Sequence, residues 1–271
     1  MPELPEVETT RRGISPHIQG QQVAQVLIRQ ARLRWPITPS LEKELPGQTI
    51  DSIERRGKYL LLGTAAGTLL IHLGMSGSIR ITDSSQTPGK HDHVDILFKD
   101  GRIMRYSDPR RFGCMLWEQH SIAAHPLLQS LGPEPLGEEF DGDTLYRASR
   151  QRKVAVKSFI MDSHVVVGVG NIYANEALFL AGINPKRAAG KIARARYQLL
   201  ADCIQQILRT AIEQGGTTLR DFTNSNGDPG YFKRSLKVYG RGGMECHSCQ
   251  RPLTEFRLGQ RSTVYCTHCQ K

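Results

Sequence analysis

The sequence predicts an α+β chain of more than one domain, with a β-rich N-terminal part, a helical middle and a small cysteine module after it. Three observations carry this. From about Val23 to Trp117, short apolar runs such as Tyr59-Leu60-Leu61-Leu62 and Leu69-Leu70-Ile71 are bounded by glycines, the pattern of strands. The cluster Leu131-Gly132-Pro133-Glu134-Pro135-Leu136-Gly137 then punctuates the chain with turn formers, and the apolar spacing beyond it becomes helical. Four of the six cysteines crowd into residues 246–271 in paired spacing, which suggests metal binding rather than a disulfide framework.

Each element follows from its local pattern. Val94, Ile96 and Phe98 alternate before Asp100-Gly101, and Ile103 resumes the pattern after it, predicting a hairpin with a primed turn. A first domain of sandwich or barrel type is the natural home for such strands. Leu199, Leu200, Cys203, Ile204, Ile207, Leu208, Ala211 and Ile212 fall at three- and four-residue steps, predicting an amphipathic helix that packs into a core and ends before Gly215-Gly216. Residues 217–240, rich in Gly, Asn, Asp and Thr, read as a loop leading to the cysteine module. There is no internal repeat and no low-complexity tract.

A chain of 271 residues has room for a sizeable core, and 39% hydrophobic with 23% charged content excludes wholesale disorder and fibrous repeats. The formal charge of +10 favours a polyanionic partner such as nucleic acid, although a solvated basic surface accounts for it equally well. No apolar run reaches the roughly 18 residues of a membrane span. The acidic opening Met1-Pro2-Glu3-Leu4-Pro5-Glu6 lacks the layout of a signal peptide, so a cytoplasmic protein with no membrane partner is expected.

The strongest local signal is Cys246-x-x-Cys249, sixteen residues, then Cys266-x-x-Cys269. Two such knuckles bring four thiolates to one tetrahedral zinc, a closed site that holds structure and leaves the metal no open position for chemistry. Redox dithiols are disfavoured because neither pair sits at a strand-to-helix turn. His247 and His268 lie inside the knuckles and are expected to be exposed. Arg251, Arg257 and Arg261 between the knuckles favour nucleic acid over protein as the partner of this ribbon.

Val165-Val166-Val167-Gly168-Val169-Gly170-Asn171 superficially suggests a dinucleotide fingerprint, but Tyr173 occupies the third glycine position. A tight glycine turn opening onto a helix at Asn171 fits better, either as an ordinary helix start or as a phosphate site. At the other end, Pro2 follows Met1, so removal of the initiator leaves a secondary amine. An α-amino group has a pKa of about 8 and is partly neutral and nucleophilic at physiological pH. Pro with Glu3 and Glu6 nearby is equally ordinary helix initiation, and the residues alone leave both readings open.

Taken together, Pro2-Glu3-Leu4-Pro5-Glu6-Val7-Glu8, the Lys58-Tyr59-Leu60 strand, His72-Leu73-Gly74-Met75-Ser76-Gly77, Asp108-Pro109-Arg110-Arg111-Phe112-Gly113, the Gly168–Glu176 turn and the cysteine ribbon resemble the bacterial formamidopyrimidine-DNA glycosylases, in the same order from residue 2 to residue 269. The resemblance implies an N-terminal β-sandwich with an opening helix, over residues 1–131. A helical helix-two-turn-helix domain would follow over 132–240 and a zinc finger over 241–271, with one structural Zn2+ on Cys246, Cys249, Cys266 and Cys269. The implied partner is double-stranded DNA containing oxidised purines, bound by a monomer.

By the same resemblance Pro2 attacks the anomeric carbon of the damaged nucleotide. The resulting Schiff base opens the way to β- and then δ-elimination, so the implied enzyme is both glycosylase and lyase. Glu3 is the implied general acid/base, Lys58 the lysine near the reacting sugar and its phosphate, and Arg261 is grouped with these catalytic residues. A base inside a duplex must be extruded and the gap filled. Met75, Arg110 and Phe112 match the family's wedge, with Arg110 addressing the orphaned cytosine; core packing is the ordinary alternative for Met75 and Phe112. Asn171 and Arg261 match a phosphate clamp, His91 and Arg152 are further DNA contacts, and Thr217–Tyr231 would contain a loop closing over the lesion.

Two rival functions stand beside this one. An enzyme resembling endonuclease VIII removes oxidised pyrimidines with the same nucleophile, but normally departs from the Leu4-Pro5-Glu6-Val7 opening and this wedge. A catalytically silent zinc-ribbon DNA-binding module would have no use for Pro2, Glu3 and Lys58 together.

Overall fold

The computed structural model describes residues 2–217 and 232–271. The chain forms two compact units, one of residues 1–129 with 214–233 and the other of residues 130–213 with 234–271. The loop expected within Thr217–Tyr231 lies, Thr217 apart, outside the described residues.

The first unit opens with helix α1 (Leu4–Ile18), whose N-cap is Glu3 in extended conformation. Pro5 is tolerated in the first turn because the amide it lacks has no partner inside the helix. Leu4, Val7, Ile14 and Ile18 recur at helical spacing and are buried. The strands β1 (Val23–Ile28), β2 (Ser52–Arg56), β3 (Tyr59–Thr64), β4 (Gly67–His72), β5 (Ser78–Thr82), β6 (Asp92–Phe98), β7 (Ile103–Ser107) and β8 (Cys114–Glu118) follow, with a single-turn helix α2 (Leu41–Glu44) after β1. They form two four-stranded antiparallel sheets, ordered β1-β6-β7-β5 and β2-β3-β4-β8.

One hydrophobic cluster joins Val7, Ile14 and Ile18 of α1 to Val26, Ile96 and Met104 of one sheet and Leu60, Leu62, Ile71 and Met115 of the other. This is the β-sandwich with an opening helix. Leu60, Leu61 and Leu62 are all buried, so the unbroken apolar run marks a strand covered on both faces.

Two turns differ from expectation. The β6–β7 hairpin is present, but Phe98 and Arg102 close a three-residue loop in which only Gly101 has positive φ, at +90°. A primed two-residue turn would place Asp100 there as well. The observed form is a type I turn with a glycine bulge, which spares Asp100 the left-handed conformation. Lys58 lies in the Gly57-Lys58 turn between β2 and β3 rather than in the strand, which begins at Tyr59. Gly57, with φ +58°, takes the left-handed position that favours glycine, and the two-residue turn sets the lysine outside the sheet.

The second unit contains α3 (Gly142–Ser149), α4 (Val156–Ile160), α5 (Asn171–Leu180) and α6 (Arg194–Glu213), then the hairpin β9 (Thr254–Leu258) and β10 (Arg261–Tyr265). Helix α6 buries Tyr197, Leu200, Ala201, Ile204, Ile207, Leu208 and Ala211 and ends before Gly215, as the spacing predicted. Leu199 does not join that face; it is 48% exposed, one position off the buried stripe. A primed turn does occur here. Gly259 and Gln260 have φ +53° and +63° between the paired Leu258 and Arg261, the type I′ geometry. None of the described helices is long and apolar enough to cross a membrane.

Candidate functional site

The start of α1 is fixed by its second carboxylate. Glu6 accepts the Glu3 N–H at Oε2 and the Thr217 N–H at Oε1, both at 2.8 Å. Gly216 passes so close that an added Cβ would lie 3.2 Å from Glu6 Oε1, and its φ of +81° already favours glycine. Pro2 is buried, and Glu3 and Glu6 are each 2% exposed. Pro2 precedes the N-cap, so Pro5 rather than Pro2 occupies the helix's first turn. Glu8 serves structure. Burial alone would raise its pKa, but hydrogen bonds from Arg11 and Arg12 and the charge of Arg55 hold it down at about 2.

Lys58 sits within electrostatic reach of His72, in the strand paired with Tyr59. Burial, then the charges of Lys58 and Arg34, push His72 down to about 4, against an opposing pull from Asp108. The imidazole is therefore neutral at pH 7, and its Nδ1 accepts the Gly74 N–H at 3.0 Å at the entrance to the Met75 turn. The unfolded chain takes up this proton near pH 6.5 and the folded chain only near 4. Stability from the site is thus complete above pH 6.5 and is lost as pH falls toward 4, by on the order of 3 kcal/mol. Replacing His72 with asparagine should flatten the dependence of melting temperature on pH across that window.

The segments 73–77 and 108–113 meet at Asp108, which is fully buried. Its Oδ1 accepts the Ser76 hydroxyl at 2.8 Å and the Arg110 N–H at 3.3 Å; its Oδ2 accepts the Gly113 N–H at 2.9 Å and the Tyr106 hydroxyl at 3.2 Å. Neither Met75 nor Phe112 belongs to the core, and Phe112 is 40% exposed. The Arg110 guanidinium lies over the Phe112 ring, 4.9 Å from its centroid. Arg111 between them has φ +56°, a left-handed residue that closes the turn. His91 is exposed beside this loop, its carbonyl accepting the Asp108 N–H at 3.0 Å.

In the second unit Asn171 is the first residue of α5, after Gly168 with φ +80° and the N-cap Gly170, which has no side chain to cap the helix. Arg152 is exposed, its backbone held by Ser149 and Gly190. Arg261 is exposed as the first residue of β10, where the primed turn delivers it. That strand is pinned from two helices. Lys157 of α4, only 1% exposed, donates to the Ser262 carbonyl at 2.8 Å and the Thr263 hydroxyl at 2.7 Å. Asn175 of α5 accepts the Val264 N–H at 2.9 Å. Glu176 receives the backbone N–H groups of Lys237, Val238 and Tyr239, fixing the approach to the ribbon.

The four ribbon cysteines place their sulfurs within 4.8 Å of one another and none is in a disulfide. Tetrahedral zinc with bonds of about 2.3 Å requires sulfurs about 3.8 Å apart. Cys246 and Cys269 stand at 3.9 Å and Cys249 and Cys266 at 3.4 Å, so the set fits. Buried Gln270 braces the second knuckle, accepting the Cys266 N–H and donating to the Ile183 carbonyl, each at 2.9 Å. His247 and His268 are exposed, as expected.

Comparison with known proteins identifies the family. Family models match in chain order: the formamidopyrimidine-DNA glycosylase N-terminal domain over residues 1–115, the H2TH domain of the same enzymes over 131–223, and the zinc finger found in these enzymes and an isoleucyl-tRNA synthetase over 243–271. The formamidopyrimidine-DNA glycosylase of Stutzerimonas stutzeri is 62% identical over all 271 residues and the full length of both chains. The chain belongs to the formamidopyrimidine-DNA glycosylase family. A crystal structure of the Thermus thermophilus protein superposes with a TM-score of 0.89 at 36% identity, covering 99% of this chain and 98% of that one. A Lactococcus lactis variant bound to Fapy-dG-containing DNA gives 0.92 at 34% identity, covering both chains completely. The Lactococcus lactis protein is also solved with abasic-site DNA and with DNA containing an oxidised pyrimidine.

As a formamidopyrimidine-DNA glycosylase, this chain is a DNA-binding repair enzyme with one structural zinc on Cys246, Cys249, Cys266 and Cys269. Sequence reading named Glu6 and Asp108 only as members of local motifs and did not see what they hold; Lys157 and Asn175 it missed altogether. Each makes contacts to residues distant in sequence. The trace of Lys157 in the sequence is a charge set in an apolar run, Val154-Ala155-Val156-Lys157-Ser158-Phe159-Ile160.

Proposed function

We propose that this glycosylase excises oxidised purines, 8-oxoguanine and formamidopyrimidines, from duplex DNA and then cleaves the strand, using the Pro2 amine as nucleophile. The observation that carries the reading is the locked start of α1, where Glu6 fixes Glu3 and, with it, the residue just before it. The Pro2 nitrogen forms a bond to the anomeric carbon as the damaged base departs with a proton. Opening of the sugar ring, assisted by a proton from Glu3, leaves an iminium. Because the amine is secondary, that iminium is necessarily cationic and withdraws electrons for β- and then δ-elimination. Lys58 stands by the sugar and its phosphate. Met75, Arg110 and Phe112 fill the gap left by the extruded base, with the Arg110 guanidinium directed to the orphaned cytosine. Asn171, Arg152, Arg261 and His91 contact the backbone, and Arg261 also serves the reaction.

Borohydride trapping on DNA carrying 8-oxoguanine opposite cytosine tests this directly, with thymine glycol DNA as the comparison. The expected result is a covalent adduct on 8-oxoguanine DNA and excision faster by about tenfold or more than on thymine glycol, the worth of one good hydrogen-bond recognition difference. Some thymine glycol activity is compatible with the oxidised-pyrimidine complex of the Lactococcus lactis protein. Preference for thymine glycol would make the chain a pyrimidine glycosylase, and absence of an adduct would remove the amine mechanism. Affinity should be dominated by phosphate contacts. With on the order of six phosphates neutralised, log affinity should fall against log salt with a slope of about −5. A flat response in a salt titration would show that the charge of +10 serves something other than DNA.

A further inference from the structure

We propose that Asp108 is the positioning residue of the extruding wedge. It ties the Met75 turn to the Arg110–Phe112 turn so that both enter the duplex as one rigid body and present Arg110 to the opposite base in a fixed direction. The proposal rests on the reading of Met75, Arg110 and Phe112 as the wedge.

A fully buried carboxylate is costly unless its oxygens are occupied by hydrogen-bond donors. Among the described hydrogen bonds to the Asp108 side chain, none comes from a cationic group. The donors are two hydroxyls and two backbone amides, drawn from three segments: Ser76 in the first turn, Tyr106 in β7, and Arg110 and Gly113 in the second turn. The Ser76 oxygen in turn accepts the Arg110 N–H at 3.2 Å, closing a ring between the two turns. The Asp108 backbone is held as well, since its carbonyl meets His93 Nε2 at 2.8 Å and its N–H donates to the His91 carbonyl at 3.0 Å.

The turns also touch through bare backbone. A Cβ on Gly74 would collide with the Phe112 carbonyl and the Gly113 nitrogen, and one on Gly113 with the Tyr106 hydroxyl. Neither turn can shift alone without breaking these contacts, so Asp108, although it reaches no surface, fixes the backbone from which Arg110 projects, and the Phe112 ring beneath the guanidinium carries that direction to the side chain. Its effect must therefore appear in discrimination between opposite bases and in the rate of insertion, more than in the chemistry at the sugar.

Two variants test this. Asp108→Asn keeps shape but turns one oxygen into a donor, so either the Ser76–Arg110 pair or the Gly113–Tyr106 pair loses its acceptor. Ser76→Ala removes one hydroxyl and is the gentler change. Single-turnover excision of 8-oxoguanine opposite cytosine and opposite adenine is measured for each. 2-Aminopurine fluorescence beside the lesion reports insertion, borohydride trapping on abasic-site DNA reports the nucleophile, and thermal melting reports the fold. The cytosine-over-adenine preference should fall about tenfold in Asp108→Asn and several-fold in Ser76→Ala, with a slower fluorescence phase and a smaller change in trapping. Arg110→Ala separates the two ideas. If Arg110→Ala keeps the preference, the wedge reading fails and takes the premise with it. If Arg110→Ala loses the preference while Ser76→Ala and any folded Asp108→Asn keep both preference and insertion rate, the positioning role is overturned. Proportional loss of every readout together with melting temperature in Ser76→Ala also overturns it, leaving Asp108 a role in stability alone.

Discussion

A chain that retains Met1 before Pro2, or carries an N-terminal tag, is expected to bind lesion DNA but neither release the base nor be trapped by borohydride. Any residue joined to Pro2 turns its nitrogen into an amide, whose delocalised lone pair does not attack carbon. Loss of a covalent nucleophile should lower excision by on the order of a thousandfold or more in single-turnover kinetics. The competing view, that Pro2 only starts a helix, predicts almost no penalty. The structure already weakens that view, because α1 begins at Leu4 with Glu3 as its N-cap and Pro5 in its first turn. Pro2→Gly gives a graded companion. A primary amine still forms an imine, so part of the activity should survive where the blocked chain has none. A blocked protein that excises 8-oxoguanine at the rate of the processed one would remove Pro2 from the mechanism and leave Lys58 as the candidate nucleophile.

Replacing Cys249 with serine is expected to release the zinc and weaken binding to lesion DNA by about ten- to a hundredfold, the worth of a lost charge-assisted contact or two. Binding of structural zinc to four thiolates supplies on the order of 10 kcal/mol, which is folding energy for the module that carries it. The hydrophobic cluster behind the ribbon is small: Phe179, Val238, Leu253 and Val264 beside the buried Cys246 and Cys266. The Lys157 and Asn175 bonds pin β10 but not the knuckles or β9, so loss of the metal is expected to loosen the ribbon and with it the fixed place of Arg261 after the primed turn. Metal content by atomic absorption and affinity by fluorescence anisotropy decide the point. A demonstrably metal-free variant with unchanged affinity would show that DNA binding does not depend on the zinc, and would overturn this prediction.

Most of the candidate chemistry was legible because it rests on short-range relations in the chain. The zinc set needs only two Cys-x-x-Cys knuckles, since each knuckle fixes two sulfurs locally and the metal chooses the other pair. Pro2 stands out as a candidate because it directly follows Met1 in the sequence, although the residues alone left helix initiation equally open. Helix α6 was readable from three- and four-residue spacing, although Leu199 shows that the width of a buried stripe is settled by the neighbours it meets. Periodicity also failed to separate a sandwich from a barrel. That difference lies in which strands pair, and the crossed order β1-β6-β7-β5 depends on contacts far apart in the chain.

By itself, then, the sequence determined what is local: the main element types, the zinc ligands, where the glycine turns fall though not their form at Gly101 and Gly57, and the chemical character of Pro2, Glu3, Lys58 and the arginines. The tertiary structure alone decided what is held by partners remote in the chain. Glu6 reaches Thr217, Asp108 reaches Ser76 across the sandwich loops, and Lys157 reaches Ser262 and Thr263 in the ribbon. The physical reason is that a buried polar group must find a donor or acceptor wherever the fold supplies one, and no spacing rule along the chain encodes that partner.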